Sequence, residues 1–161
     1  MFLGLTKRRL AMSVRGIVLL WGSLLLVGCA DLPAASSEKD QAAKLFIPAV
    51  GRANIYVARS GNGPGGSDSF DLKFDGVKVC RLAASTYFVI SAEPGPHEVS
   101  VSLYGITSSA TLLAVAGNNY FFEVTARPGF IGAEPVLKVV MLPSLGKFMV
   151  RQNQLAKSFE P

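Results

Sequence analysis

The chain has 161 residues, half of them hydrophobic, and 16 Lys and Arg against 11 Asp and Glu give it a formal charge of +5. That length suits one domain of ordinary size with short extensions. Two cysteines and one histidine are too few for a disulfide scaffold or a zinc site.

The basic residues are unevenly placed. Lys7, Arg8, Arg9 and Arg15 come before an uncharged, mostly apolar run over residues 16–28 that ends in small residues, the shape of an export signal with its helical h-region. The thirteen residues of the run fall short of the roughly 20 that a spanning helix needs, so a permanent anchor would draw Arg15 or Asp31 into lipid. Arg8-Arg9 raises the twin-arginine route, but the residues that follow fit it poorly and the Leu-rich run favours general export. The run closes on Leu26-Val27-Gly28-Cys29, which resembles the bacterial lipobox. The resemblance implies a diacylglyceryl thioether on Cys29, cleavage between Gly28 and Cys29, and acylation of the new amino group. Each buried methylene contributes ~0.8 kcal/mol, so two or three chains would hold the protein on its membrane. Ala30 follows the cysteine where an aspartate would signal inner-membrane retention, which implies an outer-membrane lipoprotein facing the periplasm.

Removing residues 1–28 takes four basic residues and no acid, leaving a charge of +1 on 133 residues. A nucleic-acid partner needs a basic face to gain from counterion release, and is thereby excluded. With Cys29 consumed by lipid, Cys80 has no intramolecular partner. It is expected as a buried thiol that behaves as a small apolar residue, with an intermolecular disulfide or a reactive thiol as the alternatives.

Residues 29–49 begin poor in large apolar side chains and read as a flexible tether. At ~5–6 Å × √n it would stand the domain a couple of nanometres off the bilayer. Phe46-Ile47-Pro48 marks the join. Residues 50–142 then alternate short β-favouring runs with turn residues every eight to twelve positions, the signal for a sandwich or barrel. Residues 70–74 and 77–82 flank Asp75-Gly76, a two-residue hairpin turn, with the inward face of the second run ambiguous. Residues 87–92 are apolar on both sides, as in a central strand. After the Glu93 to Pro96 turn, Val99, Val101 and Leu103 point inward. Gly105 permits a reversal into residues 110–115. Tyr120, Phe122 and Val124 share a face, and Phe121 points the other way and needs cover. A last strand over residues 136–142 has Leu137, Val139 and Met141 inward. In the tail, residues 143–161, Ser144 is expected to cap a short helix. The connections leave no room for βαβ crossovers, so the expected fold is all-β, an antiparallel sandwich of seven or eight strands, immunoglobulin-like or transthyretin-like.

Five motifs in order carry a resemblance: residues 53–59, a strand ending in Arg59; Asp75-Gly76; Thr86-Tyr87-Phe88; Pro94-Gly95-Pro96-His97; and residues 116–122 with Tyr120-Phe121-Phe122. Together they resemble an uncharacterised family of small bacterial lipoprotein β-domains, a domain of unknown function. The resemblance spans about residues 50–142 and implies fold and address, with no activity, ligand or cofactor. The chain departs from it in an insert over residues 61–66 and in Cys80, where a small residue is usual.

No chemistry stands out. Residues 61–66 satisfy G-x-G-x-x-G, but strand rather than helix follows, so no amides would face a pyrophosphate. His97 lacks a G-x-S-x-G nucleophile, a Cys80 and His97 pair lacks an orienting third group, and His97 is expected to close its turn by hydrogen bonding, with pH sensing as the alternative. Asp68, Asp71 and Asp75 do not have calcium-loop spacing. Tyr56, Arg59, Tyr104, Phe121 and Phe130 are the candidate binding residues, the aromatics as a stacking platform for a sugar or a partner strand and Arg59 as an ion-pair partner, against core packing as the alternative. The expectation is a membrane-anchored, non-enzymatic envelope lipoprotein contacting a protein or peptidoglycan, with no cofactor and no metal.

Overall fold

The structure is a computed structural model that describes residues 35–61, 65–130 and 132–159. The expected signal, with Leu26, Val27, Gly28 and Cys29, lies outside the described residues, as do residues 62–64 of the glycine-rich insert. In chain order the elements are α1 (Ser37–Ala43), β1 (Ala53–Arg59), β2 (Phe70–Phe74), β3 (Val77–Leu82), β4 (Thr86–Ala92), β5 (Gly95–Leu103), β6 (Ile106–Ala114), β7 (Asn119–Pro128), β8 (Ala133–Val139), α2 (Pro143–Gln152) and β9 (Gln154–Leu155). As the strand pattern predicts, they form an all-β sandwich, with sheets ordered β8-β7-β1-β4-β9 and β3-β2-β5-β6. Two pairings run parallel, β1 with β7 and β4 with β9, and the others are antiparallel.

Alternation builds the inner core. Ile55 and Val57 of β1 and Phe122 and Val124 of β7 share a buried cluster with Leu72, Val99, Val101 and Leu103 of the other sheet. The ambiguous return strand is settled by a register shift: Leu72 faces Cys80 but Lys73 faces Lys78, so Val79 is an extra residue, a β-bulge. Cys80 and Leu82 therefore point inward and are fully buried. Asp75 (φ 49) and Gly76 (φ 80) both take left-handed conformations, as a two-residue hairpin whose twist matches its strands requires.

The five-stranded sheet is buried on its second face as well. All seven residues of β1 are buried, and its outward side chains Tyr56 and Ala58 lie beside Tyr87 of β4 and Phe121 of β7 in a second apolar cluster. Such rings cannot face water without losing their burial free energy, and both ends of the domain fold over to cover them. The tether reading of residues 29–49 differs from the structure over residues 35–49, and its first part, residues 29–34, lies outside the described residues. Ser36 caps α1, and the helix is bound to the C-terminal segment: the Ala35 amide donates to the Leu155 carbonyl at 2.8 Å, and the Leu155 amide to Asp40 Oδ1 at 2.9 Å. Phe46, held at φ 58, turns its ring onto Tyr56 and Phe121.

The last strand also differs from its expectation. It starts at Ala133 and buries Ala133, Pro135 and Leu137, leaving Val139 and Met141 exposed. β8 is an edge strand whose ladder ends at the Val140 amide, which donates to the Phe121 carbonyl in the same register as Phe122 and Val139. Val140 packs against the outer cluster, while Val139 and Met141 are left exposed. Leu142 rather than Ser144 is the N-cap of α2, with Pro143 in the first turn, where its fixed φ and missing N–H cost nothing. β9 pairs with β4, so the tail is held on the sheet over its described part.

Gly146 lets α2 approach: a Cβ there would lie 2.2 Å from Phe121 Cγ. Gly146→Ala is expected to destabilise the domain by about 1–3 kcal/mol through overpacking. Ser144→Ala is expected to change stability little, where an N-cap serine would cost about 1 kcal/mol. Urea unfolding of the two variants checks both.

Candidate functional site

The five candidate binding residues separate in space. Tyr56 and Phe121 are interior, stacked at 5.2 Å and 16°. The Tyr56 hydroxyl donates to the Ala43 carbonyl at 2.8 Å and accepts from Asn54 Nδ2 at 3.3 Å, and burial pushes its pKa up to about 12. Arg59 is only 3% exposed. Its guanidinium donates to the carbonyls of Gly65, Asp68 and Leu82 and lies 4.1 Å from the centre of the Phe70 ring. It straps the chain before β2 over the end of the core, and makes no carboxylate pair among the described residues. Burial lowers its pKa, opposed by the charge of Asp68.

Tyr104 and Phe130 remain on the surface, 63% and 100% exposed. They sit at the end of the sandwich where Arg59 lies. The Tyr104 hydroxyl donates to Asp68 Oδ1 at 3.0 Å, and a Cβ on Gly132, two residues beyond Phe130, would come 3.7 Å from the Tyr104 ring. The chain before β2, the β5–β6 turn and the β7–β8 loop are thus gathered together. The hydrogen bond to Asp68 raises the Tyr104 pKa. Beside Tyr104 is a shallow cleft of about 220 Å³, lined among others by Ser69, Asp71, Arg81 and Ser102. Asp71 pairs with Lys78 at 2.8 Å and faces Arg81 at 3.7 Å. Aromatic faces beside paired charges can stack on and hydrogen-bond a polar partner. The cleft lining holds neither histidine nor cysteine.

Sequence reasoning missed Asp71 and Arg81 as members of this cleft. The signal was not available: the register set by Asp75-Gly76 would place Asp71 opposite Cys80, and only the bulge at Val79 brings Arg81 across from it.

His97 belongs to the opposite end. Its Nδ1 lies 2.7 Å from Asp75 Oδ2, its Nε2 lies 2.8 Å from the Glu93 carbonyl, and its ring stacks on Phe74 at 4.8 Å. Both nitrogens face acceptors, so the doubly protonated ring fits best. The hydrogen bond to Asp75 raises the His97 pKa, and the Glu93 carbonyl adds to it. Asp75 is lowered first by the Glu98 amide that it accepts, and its hydrogen bond to His97 works in the same direction. His97 therefore ties the β2–β3 turn to the β4–β5 turn. Cys80 is buried, and burial pushes its thiol up to about 12, aided by the charge of Asp71, so it is held as the neutral, unreactive form.

A search of known proteins adds one finding. The chain is similar to an uncharacterised protein of Haemophilus influenzae, 30% identical over 119 residues that cover 68% of this chain. It has an uncharacterised homologue. The chain spans 66% of that protein's length, and no family model matches it. The likeness supports an uncharacterised family, and the homologue's name brings no activity, ligand or partner.

Because His97 is protonated more readily in the folded state, its contribution to stability is complete below about pH 6.5, the unfolded value. That contribution is lost as pH rises through the raised folded pKa. His97→Gln is expected to flatten the fall in melting temperature between those limits. Arg59→Gln, which strips a buried donor set from three carbonyls, is expected to cost about 1–3 kcal/mol and to increase hydrogen exchange at Asp68 and Ser69. Cys80 is expected to resist thiol labelling in the native protein and to react fully in denaturant.

Proposed function

We propose that the protein is a lipid-anchored envelope protein, without enzymatic activity, whose sandwich presents the Tyr104 and Phe130 loops to another envelope component. The observation that carries this reading is the order of Lys7, Arg8, Arg9 and Arg15, the apolar run, and Leu26-Val27-Gly28-Cys29, which resembles a signal ending in a lipobox. Outer-membrane attachment facing the periplasm follows from Ala30 after the cysteine. The non-enzymatic reading is supported by the two residues best suited to covalent or acid–base chemistry. Both nitrogens of His97 are committed to structural hydrogen bonds, and the Cys80 thiol is buried.

One observation favours a second reading as a module that binds a glycan such as peptidoglycan. The cleft beside Tyr104 joins an exposed aromatic ring to Asp71, Arg81 and two serines, a set of groups suited to sugar hydroxyls.

Mass spectrometry of the native protein is expected to find an acylated peptide beginning at Cys29. An intact Met1 would overturn the address. Cys29→Ser is expected to abolish processing and release from the membrane pellet is then decided by the signal alone. Tyr104→Ala with Phe130→Ala is expected to abolish partner capture while lowering the melting temperature only slightly, since both rings are exposed and the bond lost is the one from the Tyr104 hydroxyl to Asp68. Retention on isolated sacculi, lost in the same double variant, would select the glycan reading over a protein partner.

A further inference from the structure

The layer that covers the five-stranded sheet has an outward face that nothing in the domain covers. On α2, Gly146 and Val150 point into the sheet, while Leu145 and Phe148, 48% and 58% exposed, share the outward side with Met141 just before the helix. Lys147 and Arg151 lie over the Phe46 ring, each at 5.4 Å from its centre, and Leu45 and Ile47 on either side of Phe46 are exposed. The face therefore runs from the apolar side of α2, across two cations, to the apolar Phe46 turn. Its charge is one-sided. Residues 138–157 contain Lys138, Lys147, Arg151 and Lys157 and no acid, while Lys44 and Arg52 beside the Phe46 turn are paired with Asp40 and Glu93. In α1, Asp40 is paired with Lys44, and the exposed Glu38 stands beside Lys39.

The chain enters this same layer. Ala35 packs against its apolar cluster and is bonded to Leu155. Five residues lie between Cys29 and Ala35, and the six steps at ~3.3–3.6 Å each span at most about 20–22 Å. An acylated Cys29 would thus hold this layer within about 22 Å of the lipid surface, much closer than a tether reaching residue 49 would allow.

From the short leash, the exposed apolar residues and the unopposed cations, we propose that the α2 and Phe46 face seats on an anionic phospholipid surface. Leu145, Phe148 and Met141 enter the headgroup boundary, and Lys147 and Arg151 meet lipid phosphates, as on interfacial amphipathic helices. This rests on the lipoprotein reading for the anchor, and adds to it the orientation of the domain.

The only tryptophan, Trp21, lies in the expected signal, so a single reporter can be placed at will. Full-length protein in a Trp21→Phe background is produced in a bacterial host, purified from membranes and reconstituted into vesicles of neutral and anionic phospholipid with brominated acyl chains. Phe148→Trp is expected to emit at shorter wavelength and to lose intensity to bromolipid. Val77→Trp, exposed on the other sheet, is expected to do neither. Replacing the anionic lipid by neutral lipid is expected to reduce the quenching, and quenching unchanged by that replacement overturns the role given to the cations. If Cys29 carries its acyl groups by mass and the Phe148→Trp reporter stays unquenched, the inference falls and the lipoprotein reading stands. A blue shift without quenching overturns it in favour of a protein partner on this face. An intact Met1 overturns both.

Discussion

The burial of Tyr56 on the outward side of β1 is the constraint from which the rest of this domain follows. A sandwich needs only one buried face per sheet, and Ile55 and Val57 supply it. The ring of Tyr56, with Tyr87 and Phe121 beside it, makes the other face apolar too. A hydroxyl in that position needs a partner, and it finds the Ala43 carbonyl at the end of α1. The N-terminal helix, the Phe46 turn and the C-terminal helix are therefore parts of the core, and the sheet is the middle of three layers.

The stitching of those segments is polar and local. Asp40 joins Lys44, the Leu155 amide and, through its carbonyl, the Tyr87 hydroxyl. These bonds fix the two chain ends to each other, so the point where the chain enters the domain is determined by the same contacts that cover Tyr56. The two ends of the sandwich are closed by different chemistry. At one end the Arg59 guanidinium satisfies three carbonyls over Phe70, and the exposed Tyr104 and Phe130 stand on the loops so gathered. At the other end a hydrogen-bonded His97 and Asp75 pair clamps two turns. Both arrangements are structural, the first holding three backbone carbonyls and the second joining two turns.

Much of the sandwich was legible in the chain. Period-two alternation marked β5 and β7, Asp75-Gly76 marked the first hairpin, and Phe121 was visibly on the wrong side of its strand for a simple sandwich. The face of β3 was not legible, because a bulge at Val79 changes which residues point inward without altering composition. The end of β8 was misjudged for a different reason: Val139 and Met141 continue the alternation, but they stand at the end of an edge strand and are left exposed. Of the five candidate binding residues, Tyr104 and Phe130 are on the surface while Tyr56, Arg59 and Phe121 are inside. Nothing in an aromatic residue's type says which side of a sheet will be covered.

By itself the sequence determined what short-range rules determine: strand spacing and turn chemistry. Tertiary structure alone decided that residues 35–49 and 143–159 belong to the domain. Their packing depends on an apolar face assembled from β1, β4 and β7, strands distant in the chain, and no local pattern in a short helix announces the surface it will meet.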